Sequence, residues 1–328
     1  REGGEEGRGE KEIELEWVLD WEKAKIPPGQ VSGVAIDPTD YNIWMFYRPN
    51  RTWEQGMKPN SFTVSTSTPI SHPCVVKLDR LTSRVMQTWG ENTFFTPHGL
   101  EIDSEGNFWL TDVGLHQVFK FSPSFEVILV LGTPFQTGYS ALFCAPTDVA
   151  LLPNGDILVA DGYCNQRVAR FDKEGNFIEN WSYDNMFVVH SVEVDVESMS
   201  VIVCDREHSQ VVVFDFFGIF LKTIQLKSSE GWFAITKQIL ERRKRREGRE
   251  GRRDNERKRE RGERKKKKGG LFGITSKNLV FLNTSSEQTT ILPSLQANLS
   301  HDLTVSPFDE VFIGDVSDSP TLLKYKLK

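Results

Sequence analysis

No run in this 328-residue chain approaches the roughly 18 consecutive apolar residues of a membrane-spanning helix, so no membrane span is expected within it. Cysteine is scarce: Cys74, Cys144, Cys164 and Cys204 are too few to frame a small disulfide-held domain. Histidine is nearly as sparse, with six residues, so any recurrence of it in register carries information. Sustained 3.6-residue periodicity is missing too, which argues against helical solenoids. What is present suffices for a large core: 38% hydrophobic residues, with 22 Phe and 8 Trp. The net charge of −6 hides an asymmetry. Residues 241–268 hold 17 Lys/Arg against 7 Asp/Glu, leaving 23 basic against 39 acidic residues elsewhere. The chain opens REGGEEGRGEKE, with neither Met nor an apolar leader, and reads as a fragment or processed chain whose residues 1–16 form a disordered tail. Asn-x-Ser/Thr sequons stand at Asn50, Asn180, Asn283 and Asn298, compatible with a secretory route.

The sequence repeats. PHGLEIDSEGNFWLTD (97–112), PTDVALLPNGDILVAD (146–161), VHSVEVDVESMSVIVCD (189–205) and SHDLTVSPFDEVFIGD (300–315) align closely, and VSGVAIDPTDYNIWMFYR (31–48) follows with more drift. Each reads as an alternating apolar strand, a turn rich in Asp, Asn, Gly, Ser or Pro, and a second apolar strand. Third strands follow, as in HQVFKFS (116–122) and QRVARFD (166–172). The closing Asp recurs at 112, 161, 205 and 315, the last step spanning two units plus extra sequence. Four short antiparallel strands per 40–50 residues, roughly, are the signature of a propeller blade. Five visible units and one double-length step predict an all-β, six-bladed β-propeller over residues 17–328. Blade five is split between GWFAIT (231–236) and GGLFGITSKNLVFLN (269–283) by a low-complexity basic insertion, residues 237–270. It reads as a solvated, disordered loop, since closure entropy grows only logarithmically with length. Without interleaved aromatics it is not a stacking surface, and no nucleic acid is expected as a partner.

Three of the six histidines hold one position in the repeat: His98, His190 and His301, each at the start of a first strand. Ser32, Thr147 and, approximately, Trp232 fill that position in the other blades. First strands line a propeller's channel, so equivalent residues on blades two, four and six stand about 120° apart around the axis. Three imidazoles converging at one height suit catalytic zinc, which keeps a fourth place open. His116, His208 and His72 read as structural or solvent-facing. Asp302, with Val34 and Leu100 in phase near the same mouth, offers hard oxygen ligation of the kind calcium takes.

The stretches PGQVSGVAID (28–37), FYR (46–48), PHGLEID (97–103), WLTDVGLHQVFK (109–120), FCAPTDVA (143–150), DGYCNQRV (161–168), VCDREH (203–208) and SHDL (300–303) resemble the peptidyl-α-hydroxyglycine α-amidating lyases, NHL-like six-bladed propellers that form the second catalytic domain of peptidylglycine α-amidating monooxygenase. The resemblance spans about residues 19–328 apart from the insertion. It implies cleavage of a C-terminal α-hydroxyglycine into peptide amide and glyoxylate, with zinc on His98, His190 and His301. It also implies a structural calcium on the carbonyls of Val34 and Leu100 and the carboxylate of Asp302. Tyr163 would be the catalytic base, Arg48 and Arg206 would face the substrate's hydroxyl and carboxylate, and Cys144 and Cys164 would form a disulfide anchoring the Tyr163 loop. The implied partners are α-hydroxyglycine-terminated peptides and a separate or upstream copper monooxygenase; the chain is expected to be monomeric and to work in the secretory pathway or outside the cell.

Departures are visible. The family's second disulfide falls on Ile202 and Val213, Leu299 replaces a Met two residues before the last zinc histidine, and the insertion splits blade five. A glycan on Asn298 would block the site, so that sequon is expected to be unmodified. A non-catalytic NHL-type interaction module is the alternative from another class, and a metal-dependent ester or lactone hydrolase is a second, which predicts carboxylates rather than imidazoles as principal ligands.

Overall fold

The computed structural model describes residues 14–18, 27–58, 63–64, 66–184, 186–225, 231–237, 270–283, 288–295, 299–317 and 322–328. Most of the expected tail and the bulk of the basic insertion lie outside these residues, as does Asn298. The fold is an all-β, six-bladed propeller: six four-stranded antiparallel sheets in sequence order. The innermost strands are Gly29–Ile36, Pro97–Ile102, Asp148–Leu151, Val189–Asp195, Ala234–Lys237 and Ser300–Val305. Blade five's first hairpin runs from Ala234–Lys237 to Gly270–Ile274, paired from Ala234↔Ile274 to Lys237↔Leu271, so the basic run enters at a hairpin tip.

The ring closes through Leu15–Trp17, which supplies blade six's outermost strand by pairing with Leu322–Leu327 in the register Leu15↔Leu327 to Trp17↔Tyr325. The expected tail therefore ends in an ordered strand. Joining the two chain ends in one sheet leaves no blade with a three-strand face and ties the first and last blades together.

Second strands such as Ile157–Asp161 and Phe108–Asp112 are buried along their lengths because they are covered by neighbouring blades on both faces. Apolar clusters fill the gaps between blades. Trp44, Phe46, Trp89, Phe94, Phe108 and Phe121 join blades one and two, and Leu158, Val168, Val203 and Phe214 join three and four. Ile202 and Val213 are direct cross-strand partners, both buried, so an apolar contact occupies the place of the second disulfide.

The recurring Asp that closes the second strand has a physical role in blades two, three and four. Asp112 accepts the backbone N–H groups of Phe95 (2.6 Å) and Thr96 (3.1 Å), Asp161 that of Cys144 (2.8 Å), and Asp205 those of Phe187 (3.1 Å) and Val188 (3.2 Å). In each case the buried carboxylate holds the segment that enters its blade's innermost strand, satisfying amides that no sheet ladder reaches. The positions of His98, Thr147 and His190 follow from these anchors. Blades also meet closely at the axis: a Cβ on Gly99 would lie 2.5 Å from the Thr147 carbonyl oxygen, so glycine beside His98 lets the strands touch.

Candidate metal centre and active site

His98, His190 and His301 meet on the channel axis. One ligand atom from each lies within 4.8 Å of the others, and all three residues are buried. Their ring centroids form a nearly equilateral triangle with sides of 5.0, 4.6 and 4.9 Å. Each ring gives its Nδ1–H to a backbone carbonyl on the next blade: His98 to Thr147 (2.8 Å), His190 to Phe233 (2.6 Å) and His301 to Ser32 (2.9 Å). Blades two, four and six thus supply imidazoles, while blades three, five and one supply the acceptors that hold them. Such bonds fix the tautomer, leaving each Nε2 with a lone pair turned inward.

Burial, and for His98 and His190 the neighbouring imidazoles as well, pushes the ring pKa values down, to about 3 for His301 and well below the usual range for His98 and His190. All three are neutral at physiological pH, the state in which imidazole binds metal. Three neutral nitrogens aimed at one point, with backbone partners behind them, fit a zinc ion with one place left open.

Tyr163 stands over this triangle. Its hydroxyl lies 3.1 Å from Nε2 of His98 and 3.3 Å from Nε2 of His190. The Arg206 guanidinium carbon sits 5.5 Å from the Tyr163 ring and 5.3 Å from that of Phe233. Arg206 also pairs with Glu207 at 2.6 Å, on its own loop. Arg48 is 1% exposed and donates Nε–H to the Pro97 carbonyl (2.9 Å) and Nη1–H to Gln30 Oε1 (2.6 Å). Burial lowers its pKa to about 10, the neighbouring Tyr163 oxygen opposing that fall most, so it stays protonated at neutral pH. For Tyr163 itself burial raises the phenol's pKa, and the pull of Arg206 and Arg48 does not overcome it. The two arginines alone do not produce a phenolate; a further cation at the histidines would have to contribute.

Cys144 and Cys164 form a disulfide with a Cα separation of 5.6 Å. It joins the loop entering blade three to the loop that presents Tyr163, so the phenol's backbone is tied from one side by a covalent bond. His116 braces the Cys144 side of that bridge: this buried ring accepts the Ala145 N–H at Nδ1 (2.9 Å), and burial lowers its pKa to about 4. A folded-state pKa depressed below the unfolded value of about 6.5 gives stability that is present above that pH and lost as pH falls through about 4. His116→Asn keeps an acceptor at the Nδ1 position and suits the positive φ of 58° there. The variant should show a shallower fall of melting temperature over that window than the parent; parallel slopes would show that His116 does not contribute.

Val34, Leu100 and Asp302 line one cavity of about 1000 Å³, and Asp302 also borders the small space between the three histidines. The contact between them is a hydrogen bond from the Val34 N–H to Asp302 Oδ2 at 2.7 Å. Sequence reading missed their acidic company: Glu101, Asp148 and Glu193 line the same space. Burial pushes Asp148 up to about 6 and, with Asp148 nearby, raises Asp302 well above the carboxylate range. Leu299 lies 36% exposed just before the His301 strand. Trp53, also unforeseen, begins the short helix Trp53–Gly56, with its ring 5.3 Å from that of Tyr163 and 6.2 Å from His98.

The NHL-repeat family model matches residues 143–171, within blade three. The chain is 37% identical over 230 residues to peptidyl-glycine alpha-amidating monooxygenase B of Xenopus laevis, an alignment covering 66% of this chain and 26% of that protein. It is 38% identical over 212 residues to peptidyl-alpha-hydroxyglycine alpha-amidating lyase 1 of Drosophila melanogaster (59% of this chain, 39% of the relative), and 34% identical over 203 residues to lyase 2 of the same organism (60% and 50%). The chain thus spans about a quarter of the monooxygenase and up to half of the shorter lyases. Among solved structures, a gluconolactonase from Xanthomonas campestris superposes with a TM-score of 0.63 at 10% identity, covering 92% of this chain and 87% of that one. Virginiamycin B lyase from Staphylococcus aureus gives 0.57 at 12%, covering 96% and 89%. These two establish the propeller fold alone; the similarity to the amidating lyases is one of sequence.

Proposed function

We propose that this propeller is a peptidylamidoglycolate lyase, cleaving a C-terminal peptidyl-α-hydroxyglycine into peptide amide and glyoxylate. The observation that carries the reading is the Tyr163 hydroxyl within 3.3 Å of two of three converging Nε2 atoms, in a chain similar to named amidating lyases. His98, His190 and His301 would hold zinc, whose chemistry there is Lewis acidity toward a substrate oxygen. The chain's own residues perform the rest. Arg48 and Arg206 offer planar donor faces to the substrate carboxylate and keep positive charge beside Tyr163. Tyr163, as phenolate, takes the proton of the substrate hydroxyl; the O–H electrons become the C=O bond of glyoxylate as the C–N bond breaks. The proton then passes to the departing nitrogen, completing the amide and restoring balance. Trp53 walls the site and limits water access, and the disulfide holds Tyr163 against the imidazoles.

The carbonyls of Val34 and Leu100 with the Asp302 carboxylate would hold a structural calcium, an oxygen donor set in keeping with that ion. The substrate requires prior hydroxylation at the glycine α-carbon, the task assigned above to a copper monooxygenase, and the disulfide is in keeping with an oxidising, secretory or extracellular compartment. The defining assay is incubation with a peptide ending in α-hydroxyglycine. Glyoxylate and peptide amide should appear in equal amounts and faster than the spontaneous reaction; a rate equal to that of buffer alone would sink the assignment in favour of a non-catalytic propeller.

A further inference from the structure

Gln30 is buried at 6% exposure and lies opposite Arg48 in the first hairpin of blade one. Its side chain makes three hydrogen bonds. Oε1 accepts from Arg48 Nη1 at 2.6 Å and from the Trp53 backbone N–H at 2.7 Å, while Nε2 donates to the Val316 carbonyl at 2.8 Å. The amide can point only one way: turned over, it would set an NH₂ group against two donors and an oxygen against a carbonyl. Val316 is in turn bonded through its N–H to the Leu299 carbonyl (3.0 Å), two residues before His301. One amide therefore links Arg48, the helix bearing Trp53 and the loop entering the last histidine strand.

The acceptors that hold Arg48, the Gln30 amide and the Pro97 carbonyl, are both neutral. No ion pair with a carboxylate is found for Arg48 among the described residues, whereas buried Arg167 pairs with Asp161 at 2.9 Å. A neutral holder fixes a guanidinium without cancelling its charge. A carboxylate would grip as well but would spend the charge internally. We infer that Gln30 is a positioning residue that presents Arg48, paired directly with no carboxylate, together with Trp53, to a carboxylate-bearing ligand. The inference rests on the lyase reading and deepens it by naming what sets carboxylate recognition.

The test compares binding of an N-acylglycine, which keeps the carboxylate but cannot react, with binding of its methyl ester, by calorimetry on the whole chain. Gln30→Glu should reduce the acid-over-ester preference about tenfold, because Arg48 acquires an internal anion. Gln30→Met, which frees Arg48 without neutralising it, should weaken both ligands and alter the preference less. Equal weakening of acid and ester in Gln30→Glu, or an unchanged preference, would overturn the inference, since a merely structural role moves both alike. If Gln30→Glu does not fold, Gln30→Met decides by the same preference: an acid affinity that falls more than the ester affinity supports the proposal, and equal weakening of the two, or none, overturns it. Glyoxylate release by the parent is measured alongside. An inactive parent removes the lyase reading and this inference with it; an active parent with unchanged Gln30 variants removes the inference alone.

Discussion

Replacing His190 with alanine is expected to leave a folded propeller that no longer retains a divalent ion and has lost lyase turnover by roughly a thousandfold or more. His190 is one of three equivalent corners, so its loss leaves two nitrogens, a set that no longer fills three of zinc's four places. The ring also satisfies the Phe233 carbonyl at 2.6 Å; leaving that acceptor unpaired costs about 1–3 kcal/mol, tolerable in a propeller whose blades hold extensive apolar clusters. Thermal unfolding should therefore remain cooperative while metal content per chain and glyoxylate release both collapse. Turnover within tenfold of the parent, with the metal gone, would mean that the imidazole triangle is structural.

Tyr163→Phe should separate chemistry from binding. The phenyl ring keeps the packing against Trp53 and the Met57, Val113 and Ala145 cluster, and the disulfide is untouched. Only the hydroxyl beside two imidazole nitrogens disappears. The expected result is a loss of kcat of about 10²–10⁴, the usual contribution of a positioned acid–base group, with KM and metal content near parental values. A matching rise in KM with little change in kcat would instead make Tyr163 a binding residue and hand the proton to another group.

Much of this was legible from one sequence because a propeller repeats itself. Aligning PHGL, VHSV and SHDL put three histidines on alternate blades, and blade geometry then required them to converge. What remained hidden has identifiable causes. The acceptors behind the histidines are carbonyls of Ser32, Thr147 and Phe233, and backbone groups leave no residue-type signature. Leu15–Trp17 is three residues long and pairs with a strand some three hundred positions away, so no local pattern announces it. Glu101, Asp148 and Glu193 are single carboxylates in three separate strands, noticeable only once the blades stand around a common axis. Gln30 looks like an ordinary strand residue until Arg48 is seen opposite it. The recurring Asp was conspicuous from the start as punctuation, and at 112, 161 and 205 it anchors the segments that lead into the innermost strands.

The central claim is that lyase activity requires one divalent ion gripped by three imidazoles. Its most direct test strips the purified chain with chelator, measures glyoxylate release from an α-hydroxyglycine peptide, and titrates zinc back while counting bound ions. The account predicts near-zero turnover after stripping and recovery that saturates at one ion per chain beyond any bound elsewhere, in the parent but not in His98→Ala. Full activity in the stripped protein, or recovery that is the same in His98→Ala, would contradict it.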